Sequence, residues 1–143
     1  MYLDESAIDG YTNFVLPNKM MLGYPVLERT KDFEYSYLAK NNVRTKIYGG
    51  KVIENVCQAL ARIVIGEQLL RVAKKYKVVM TVHDAIGCIV PEAEVNEGMA
   101  YVKKCMRVRP LWAPDLPLAC EGGFGRSYGD CSVVAETPAG GGL

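Results

Sequence analysis

The sequence predicts an α+β fold, an antiparallel sheet with one tight hairpin that packs against two helices. Short apolar or alternating runs occur in pairs around turn-forming residues, a pattern typical of hairpins. Two longer runs have the composition or the spacing of helices. Because half of the 143 residues are hydrophobic, the chain can bury one core, and it is too short for two ordinary domains.

Four runs in the first fifty residues predict two hairpins. The apolar runs 14–16 and 20–22 flank Pro17-Asn18-Lys19, which has the composition of a turn. The runs 34–38 and 43–48 alternate polar with apolar or aromatic residues on either side of a lysine-asparagine turn. We therefore expect two antiparallel strand pairs before the first helix.

Two helices are predicted further along the chain. From Lys51 to about Tyr76 no proline interrupts a run rich in helix-forming residues, and Gly49-Gly50 breaks the pattern before it. The second helix is expected from Glu92 to Val108. One face of it carries four apolar residues at helical spacing, which we expect to face the core: Val95, Met99, Val102 and Met106.

The remaining segments complete the predicted organisation. Residues 110–117 are expected to form a loop and 118–126 a last strand. We divide the chain into an N-terminal extension (1–12), a main region (13–130) and a glycine-rich tail (131–143) that we expect to be disordered.

Charge and cysteine content narrow the function classes only slightly. The net charge is +1, which gives no argument for or against a polyanionic partner. The five cysteines form no Cys-x-x-Cys pair, so the sequence suggests neither a zinc site nor a disulfide framework. No signal peptide or membrane-length apolar stretch is visible. We therefore expect a cytoplasmic protein with reduced thiols and no membrane partner.

The candidate for chemistry is a polar tip between two apolar runs. His83, the only histidine, precedes Asp84 and Ala85 between the runs 77–82 and 86–90, which should pair as a tight hairpin. Aspartate often makes turns by bonding its own backbone, so a structural role is one interpretation. A rigid hairpin that presents a carboxylate to a magnesium ion is the other. The dipeptide alone leaves both open.

A polar stripe on the first helix is the second candidate. At 100° per residue its four members fall within about 60° of one another: Lys51, Asn55, Gln58 and Arg62. Just upstream, Arg44 belongs to a small basic cluster around a tyrosine. Both features are compatible with solvated surface, or with hydrogen-bond donors and cations that lie along nucleic acid.

Taken in order, these segments resemble the C-terminal third of family A DNA polymerases, especially those of phages. The resemblance covers residues 12 to 130. Its most specific part is a Tyr-Gly-Gly-Lys helix entry, at residues 48–51, followed by Val82-His83-Asp84. Weaker matches lie at Leu16-Pro17-Asn18-Lys19 and at Glu121-Gly122-Gly123-Phe124-Gly125.

The resemblance implies part of a polymerase palm subdomain that acts in nucleotidyl transfer to a primer 3′-hydroxyl. Asp84 then corresponds to the aspartate of motif C, which with a second aspartate holds two Mg²⁺ ions around the primer hydroxyl and the incoming dNTP. His83 resembles the residue near the primer terminus. Gln58 and Asn55 resemble the helix that follows the minor groove of primer-template DNA.

Several family features are missing from this sequence. Ala85 stands where the family often has glutamate after the aspartate, and Ile63 replaces an acidic residue. An Asp-x-Ser-x-x-Glu segment and a fingers helix with its lysine and tyrosine are also missing. We therefore expect half an active site, inactive alone, with the missing polymerase segment supplied in cis or in trans. The alternative is a non-catalytic nucleic-acid-binding remnant.

Overall fold

The fold is mixed α+β, as predicted, with two α-helices and antiparallel strand pairs. A computed structural model of the chain describes residues 2–4, 11–31 and 34–133. The chain divides into two compact units, Met1–Ile63 and Val64–Leu143. In the described ranges the strands form four separate sheets of two or three strands each, where the sequence suggested one.

The first sheet contains the first predicted hairpin. Strands β1 (Tyr2–Asp4), β2 (Tyr11–Val15) and β3 (Met21–Pro25) lie side by side in chain order, and both pairs are antiparallel. The turn forms as predicted, because the Asn18 side chain accepts a hydrogen bond from the Met20 amide, at 3.1 Å. Since β1 pairs with β2, residues assigned to the N-terminal extension contribute a strand.

The second sheet contains the second predicted hairpin. Strands β4 (Glu28–Arg29), β5 (Tyr35–Leu38) and β6 (Arg44–Ile47) are again antiparallel neighbours in chain order. The Asn41 side chain accepts from the Val43 amide at 3.2 Å, which fixes the tight connection between β5 and β6. The prediction of two strand pairs ahead of the first helix is confirmed.

Three aromatic rings in contact form the core of the first unit. Tyr24, only 3% exposed, meets the rings of Phe14 and Tyr37 edge to face, at centroid distances of 6.2 and 5.3 Å. Phe14 lies on β2 and Tyr37 on β5, so the three rings join the two sheets. The first helix contributes Val56 and Ile63, both buried.

Helix α1 (Gly49–Val72) begins and ends earlier than predicted. The prediction that Gly49-Gly50 breaks the pattern is wrong: these glycines form the first turn, where amides need no intrahelical partner. The amides of Lys51 and Val52 bond to the Tyr48 carbonyl. At the other end, the Tyr76 amide bonds to the Val72 carbonyl and closes a turn into the next strand.

The second unit begins with a hairpin and a helix. Strands β7 (Lys77–Val82) and β8 (Ala85–Ile89) pair with each other, and helix α2 (Val95–Met106) follows a short 3-10 turn. The predicted helix Glu92–Val108 is therefore too long at both ends. The buried positions are Gly98 and Cys105, about 80° around the helix from the predicted stripe, whose members are half-buried.

Aromatic and polar contacts join the end of α1 to α2 within the second unit. The rings of Tyr76 and Tyr101 lie edge to face at 5.7 Å, and the Tyr101 hydroxyl donates to the Arg71 carbonyl at 2.9 Å. The Lys75 ammonium lies over both rings and pairs with Glu97. The hydrogen bond to Glu97 raises the pKa of Lys75 above its usual range, so the lysine stays charged.

The predicted loop 110–117 is confirmed, but the predicted strand 118–126 is wrong over most of its length. Only β9 (Gly123–Phe124) forms, paired with β10 (Ser132–Val133). The residues before β9 lie along α2 instead, where the Cys120 thiol donates to the Lys103 carbonyl. β10 falls in the segment assigned to the tail, and residues 134–143 lie outside the described part of the chain. No helix in the described ranges is long and apolar enough to span a membrane.

Replacement by alanine should have opposite effects on stability at two glycines in helix interiors. A Cβ at Gly98 would lie 2.6 Å from a Val90 methyl, whereas a Cβ at Gly66 meets nothing within 4 Å. We expect Gly98→Ala to lower the free energy of unfolding by about 1–2 kcal/mol, because overpacking outweighs helix propensity. Gly66→Ala should raise it by about 0.5–1 kcal/mol. Urea unfolding measures both, and equal stabilisation by the two changes would contradict the Gly98–Val90 contact.

Candidate metal-binding turn and nucleic-acid interface

The turn between β7 and β8 contains only two residues. Val82 pairs directly with Ala85, so His83 and Asp84 alone connect the strands. The sequence prediction of a hairpin with a polar tip is confirmed, although Ala85 belongs to the strand and not to the tip. Such a short connection leaves the backbone of the two turn residues little freedom.

His83 has an unusual backbone conformation. Its φ of 54° lies in the left-handed region, which costs a residue with a Cβ about 1–2 kcal/mol. A positive φ at the first residue of a two-residue hairpin is normally supplied by glycine. Residues held in such conformations cluster at functional sites, where the surrounding structure maintains the strain. The imidazole is therefore a candidate for a role that glycine cannot fill.

The Asp84 carboxylate is exposed to solvent. Among the described residues it has neither an ion pair nor a hydrogen bond, so its oxygen lone pairs are available to a ligand. The structural interpretation, in which the Asp84 side chain makes the turn by bonding its own backbone, has no such bond among these residues. A lone carboxylate on a rigid turn suits a hard cation such as Mg²⁺.

One carboxylate is a small part of a metal site. Within the described ranges, no group of three or more His, Cys, Asp or Glu side chains is close enough to hold a metal ion. Magnesium is commonly held by one or two protein carboxylates, with waters and substrate phosphates as its other ligands. Asp84 therefore fits as one ligand of a site whose second carboxylate comes from another segment.

The hairpin that carries the turn has exposed apolar side chains. Val79 and Ile89 are 51% and 60% exposed, and Val82 is exposed as well. Ile86 and Cys88 are half-buried, and burial raises the pKa of the Cys88 thiol. In the described residues the hairpin pairs with no third strand. Three of its large apolar side chains are exposed to solvent.

Arg44 is engaged inside the first unit. Its guanidinium donates to the Val26 carbonyl at 2.8 Å and pairs with Glu28, also at 2.8 Å. Val26 has a φ of 48°, which is rare for a β-branched residue, so the arginine fixes a strained connection between β3 and β4. These contacts account for Arg44 without nucleic acid.

Asn55 is also engaged inside the first unit. It is half-buried, and its amide donates to the hydroxyl of the buried Tyr24 at 3.0 Å. Asn55 lies on α1 and Tyr24 on β3, so the bond fixes the helix to a strand 31 positions away in the sequence. Asn55 therefore lies at the edge of the predicted stripe and helps to hold the helix in place.

The rest of the stripe is exposed. Lys51, Gln58 and Arg62 lie on the solvent side of α1. Glu54, which the sequence analysis did not single out, accepts hydrogen bonds from Lys51 at 2.9 Å and from Gln58 at 3.2 Å. The three residues are three and four positions apart, a spacing that makes them neighbours on a helix and is visible in the sequence. The Glu54 carboxylate raises the pKa of Lys51. Among the described residues Arg62 has no ion-pair partner.

The predicted site residues thus fall into two groups. His83 and Asp84 lie together on the turn in the second unit. The other five lie in the first unit, where the three exposed residues on α1 define a polar strip (Lys51, Gln58 and Arg62).

One comparison with curated proteins relates the chain to a known protein. It is similar to the DNA polymerase of Bacillus phage SP02, with 40% identity over 80 residues, or 55% of this chain. The match spans only 12% of the length of that polymerase. No protein-family model matches the chain, and no solved structure matches it at a significant level. The similarity supports a polymerase-related region in this chain.

The strain at His83 predicts a gain in stability on replacement by glycine. His83→Gly should raise the free energy of unfolding by about 0.5–1 kcal/mol, since relief of the left-handed strain exceeds the entropy cost of glycine. His83→Ala, which keeps a Cβ, should bring no gain. Urea unfolding compares the two variants, and a glycine variant no more stable than the alanine variant would contradict the strain.

The bond between Asn55 and Tyr24 predicts energetic coupling. In a double-mutant cycle of Asn55→Ala and Tyr24→Phe, we expect a coupling energy of about 1 kcal/mol in urea unfolding. Arg62→Ala, on the exposed face of the same helix, should change stability by less than about 0.5 kcal/mol. Additive effects of the two changes would mean that Asn55 does not anchor the helix.

Proposed function

We propose that this chain is part of a DNA polymerase and acts in DNA-directed nucleotidyl transfer to a primer 3′-hydroxyl. The finer proposal is the C-terminal palm region of a family A, phage-like enzyme that works in the cytoplasm of a host. The observation that carries it is the Asp84 carboxylate, which has no partner among the described residues and is held on a two-residue turn in a chain similar to a phage DNA polymerase.

Asp84 is proposed as one ligand of a magnesium site shared with a second carboxylate. A Mg²⁺ ion held there would increase the acidity of a primer hydroxyl and neutralise charge on the leaving pyrophosphate. The contribution of this chain is positional, because the Val82–Ala85 pair fixes the point from which the carboxylate extends.

His83 and the polar strip are proposed to contact primer-template DNA. The imidazole, adjacent to Asp84, would donate a hydrogen bond near the primer terminus. On α1 the exposed Gln58 and Arg62 are suited to minor-groove acceptors, which occur in every base pair. Arg44 and Asn55 then act indirectly, because their hydrogen bonds hold the strands and helix of the first unit.

The active enzyme is proposed to be a longer or split polymerase. The chain supplies one carboxylate of a two-carboxylate site, and the part of the phage enzyme that it matches is 12% of that protein. The exposed apolar side chains of the hairpin, Val79 and Ile89 among them, support coverage by a further polymerase segment. That segment, in cis or in trans, would bring the second carboxylate and the groups that bind the dNTP.

A primer-extension assay tests the role of Asp84. The chain is mixed with a polymerase fragment that carries the missing aspartate and fingers, and extension is measured with Mg²⁺ and dNTPs. We expect Asp84→Ala to lower the rate by at least about 100-fold, because a transition-state electrostatic contact is lost. Asp115→Ala removes another exposed carboxylate and serves as the matched control, with an unchanged rate.

Two results would overturn parts of this proposal. Equal rates for wild type and Asp84→Ala, with DNA binding retained, would favour a non-catalytic nucleic-acid-binding remnant. The resemblance to family A polymerases leads one to expect acids at the positions of Ala85 and the buried Ile63, and their absence is compatible with that alternative. Primer extension by the purified chain alone would contradict the need for a second segment.

A further inference from the structure

Three polar side chains lie together on the last turns of α1. Arg71 stands three positions after Gln68 and four after Glu67, the spacings at which side chains are neighbours on a helix. The Arg71 guanidinium reaches back towards Glu67, with Nη2 at 3.9 Å from Oε2. The Arg71 side chain therefore passes the turn that carries Gln68. All three residues belong to the second unit.

Gln68 joins α1 to the end of α2. It is only 3% exposed, and its Nε2 donates to the Met106 carbonyl at 2.5 Å. That carbonyl belongs to the last turn of α2, where carbonyls have no intrahelical partner. The bond also fixes the orientation of the side-chain amide, because a flipped amide would bring two oxygens together. The Gln68 oxygen therefore lies on the side of the amide away from Met106.

Two buried polar atoms of this cluster have no hydrogen-bond partner among the described residues. They are Oε1 of Gln68, which is an acceptor, and Nε of Arg71, which is a donor. Buried polar atoms in folded proteins are nearly always hydrogen-bonded, to other protein groups or to ordered water. The backbone at Arg71 is itself held in place, since its carbonyl accepts from the Tyr101 hydroxyl at 2.9 Å. The two atoms therefore indicate a small ligand that satisfies both.

We propose that one water molecule is bound between Gln68 Oε1 and Arg71 Nε. Water donates to the amide oxygen and accepts from the Nε–H, whereas an anion could bond only the arginine and a metal cation only the glutamine. Its second hydrogen can go to the Glu67 carboxylate, whose Oε1 accepts from the Trp112 indole at 3.2 Å. The water then makes about three hydrogen bonds, which is typical of buried water.

The proposed water links three elements of the second unit. Through Gln68 it connects to the last turn of α2, and through Glu67 it connects to Trp112 in the loop 110–117. The end of α1 is thus joined to α2 and to the loop by one polar network, which is stabilising only when every buried member is hydrogen-bonded. This structural role does not depend on the polymerase function.

Water contacts measured by NMR on the whole isotope-labelled chain test this site. Cross-peaks between water and the Nε–H of Arg71 are recorded in NOESY and ROESY spectra, at mildly acidic pH so that guanidinium protons exchange slowly. A water held inside a protein gives cross-peaks of opposite sign in the two spectra, whereas mobile surface water and proton exchange do not. We expect opposite signs at Arg71. Arg62, an exposed arginine on the same helix, is the matched control and should give no such pair of cross-peaks.

Gln68→Met tests the second contact, because methionine keeps the length of the side chain and removes its acceptor. We expect the water cross-peaks at Arg71 to be lost in this variant, with circular dichroism as the check of folding, and their persistence would contradict the role of Gln68. Same-sign or absent cross-peaks at Arg71 in the wild-type chain would overturn the proposal, and this result needs no folded variant. A scalar coupling across a hydrogen bond from the Arg71 Nε–H to the Gln68 amide would show that the two side chains bond directly, which would also overturn it.

Discussion

The closure of the β7–β8 hairpin by Val82 and Ala85 is the constraint on which the candidate site depends. Because these residues pair, the connection has room for only His83 and Asp84, and His83 must adopt a positive φ. The same closure leaves the Asp84 carboxylate in solvent without a partner in the described part of the chain. Backbone strain and an available carboxylate thus arise from one feature, and both are typical of a functional turn.

The first unit shows why the role of a polar residue on an amphipathic helix is ambiguous in the sequence. Helical spacing places Asn55 beside Gln58, yet Asn55 donates to a tyrosine 31 residues away while Gln58 is exposed. Arg44 is similar, since its charge suggested phosphate contact and its guanidinium is engaged by Val26 and Glu28. The exposed part of the predicted stripe on α1 is the polar strip, which is narrower than helical spacing suggested.

Local patterns predicted the hairpins and helices because turn residues and apolar spacing act over a few positions. The sequence did not predict what depends on distant contacts. The segment before β9 has the composition of a strand but lies along α2, where Cys120 bonds to Lys103. Gly49-Gly50 begins a helix because the Tyr48 carbonyl accepts the amides that follow. Asp84 was found from its unusual neighbours, whereas the strain at His83 became visible only in the backbone.

Titration of the isotope-labelled chain with Mn²⁺, followed by amide NMR, tests most directly whether Asp84 is a metal ligand. Paramagnetic broadening should centre on the amides of His83, Asp84 and Ala85, with weak affinity because one carboxylate is available. In Asp84→Asn this broadening should disappear while the remaining spectrum is retained. Broadening that centres elsewhere, or that persists unchanged in Asp84→Asn, would contradict the assignment of the turn as a metal-binding site.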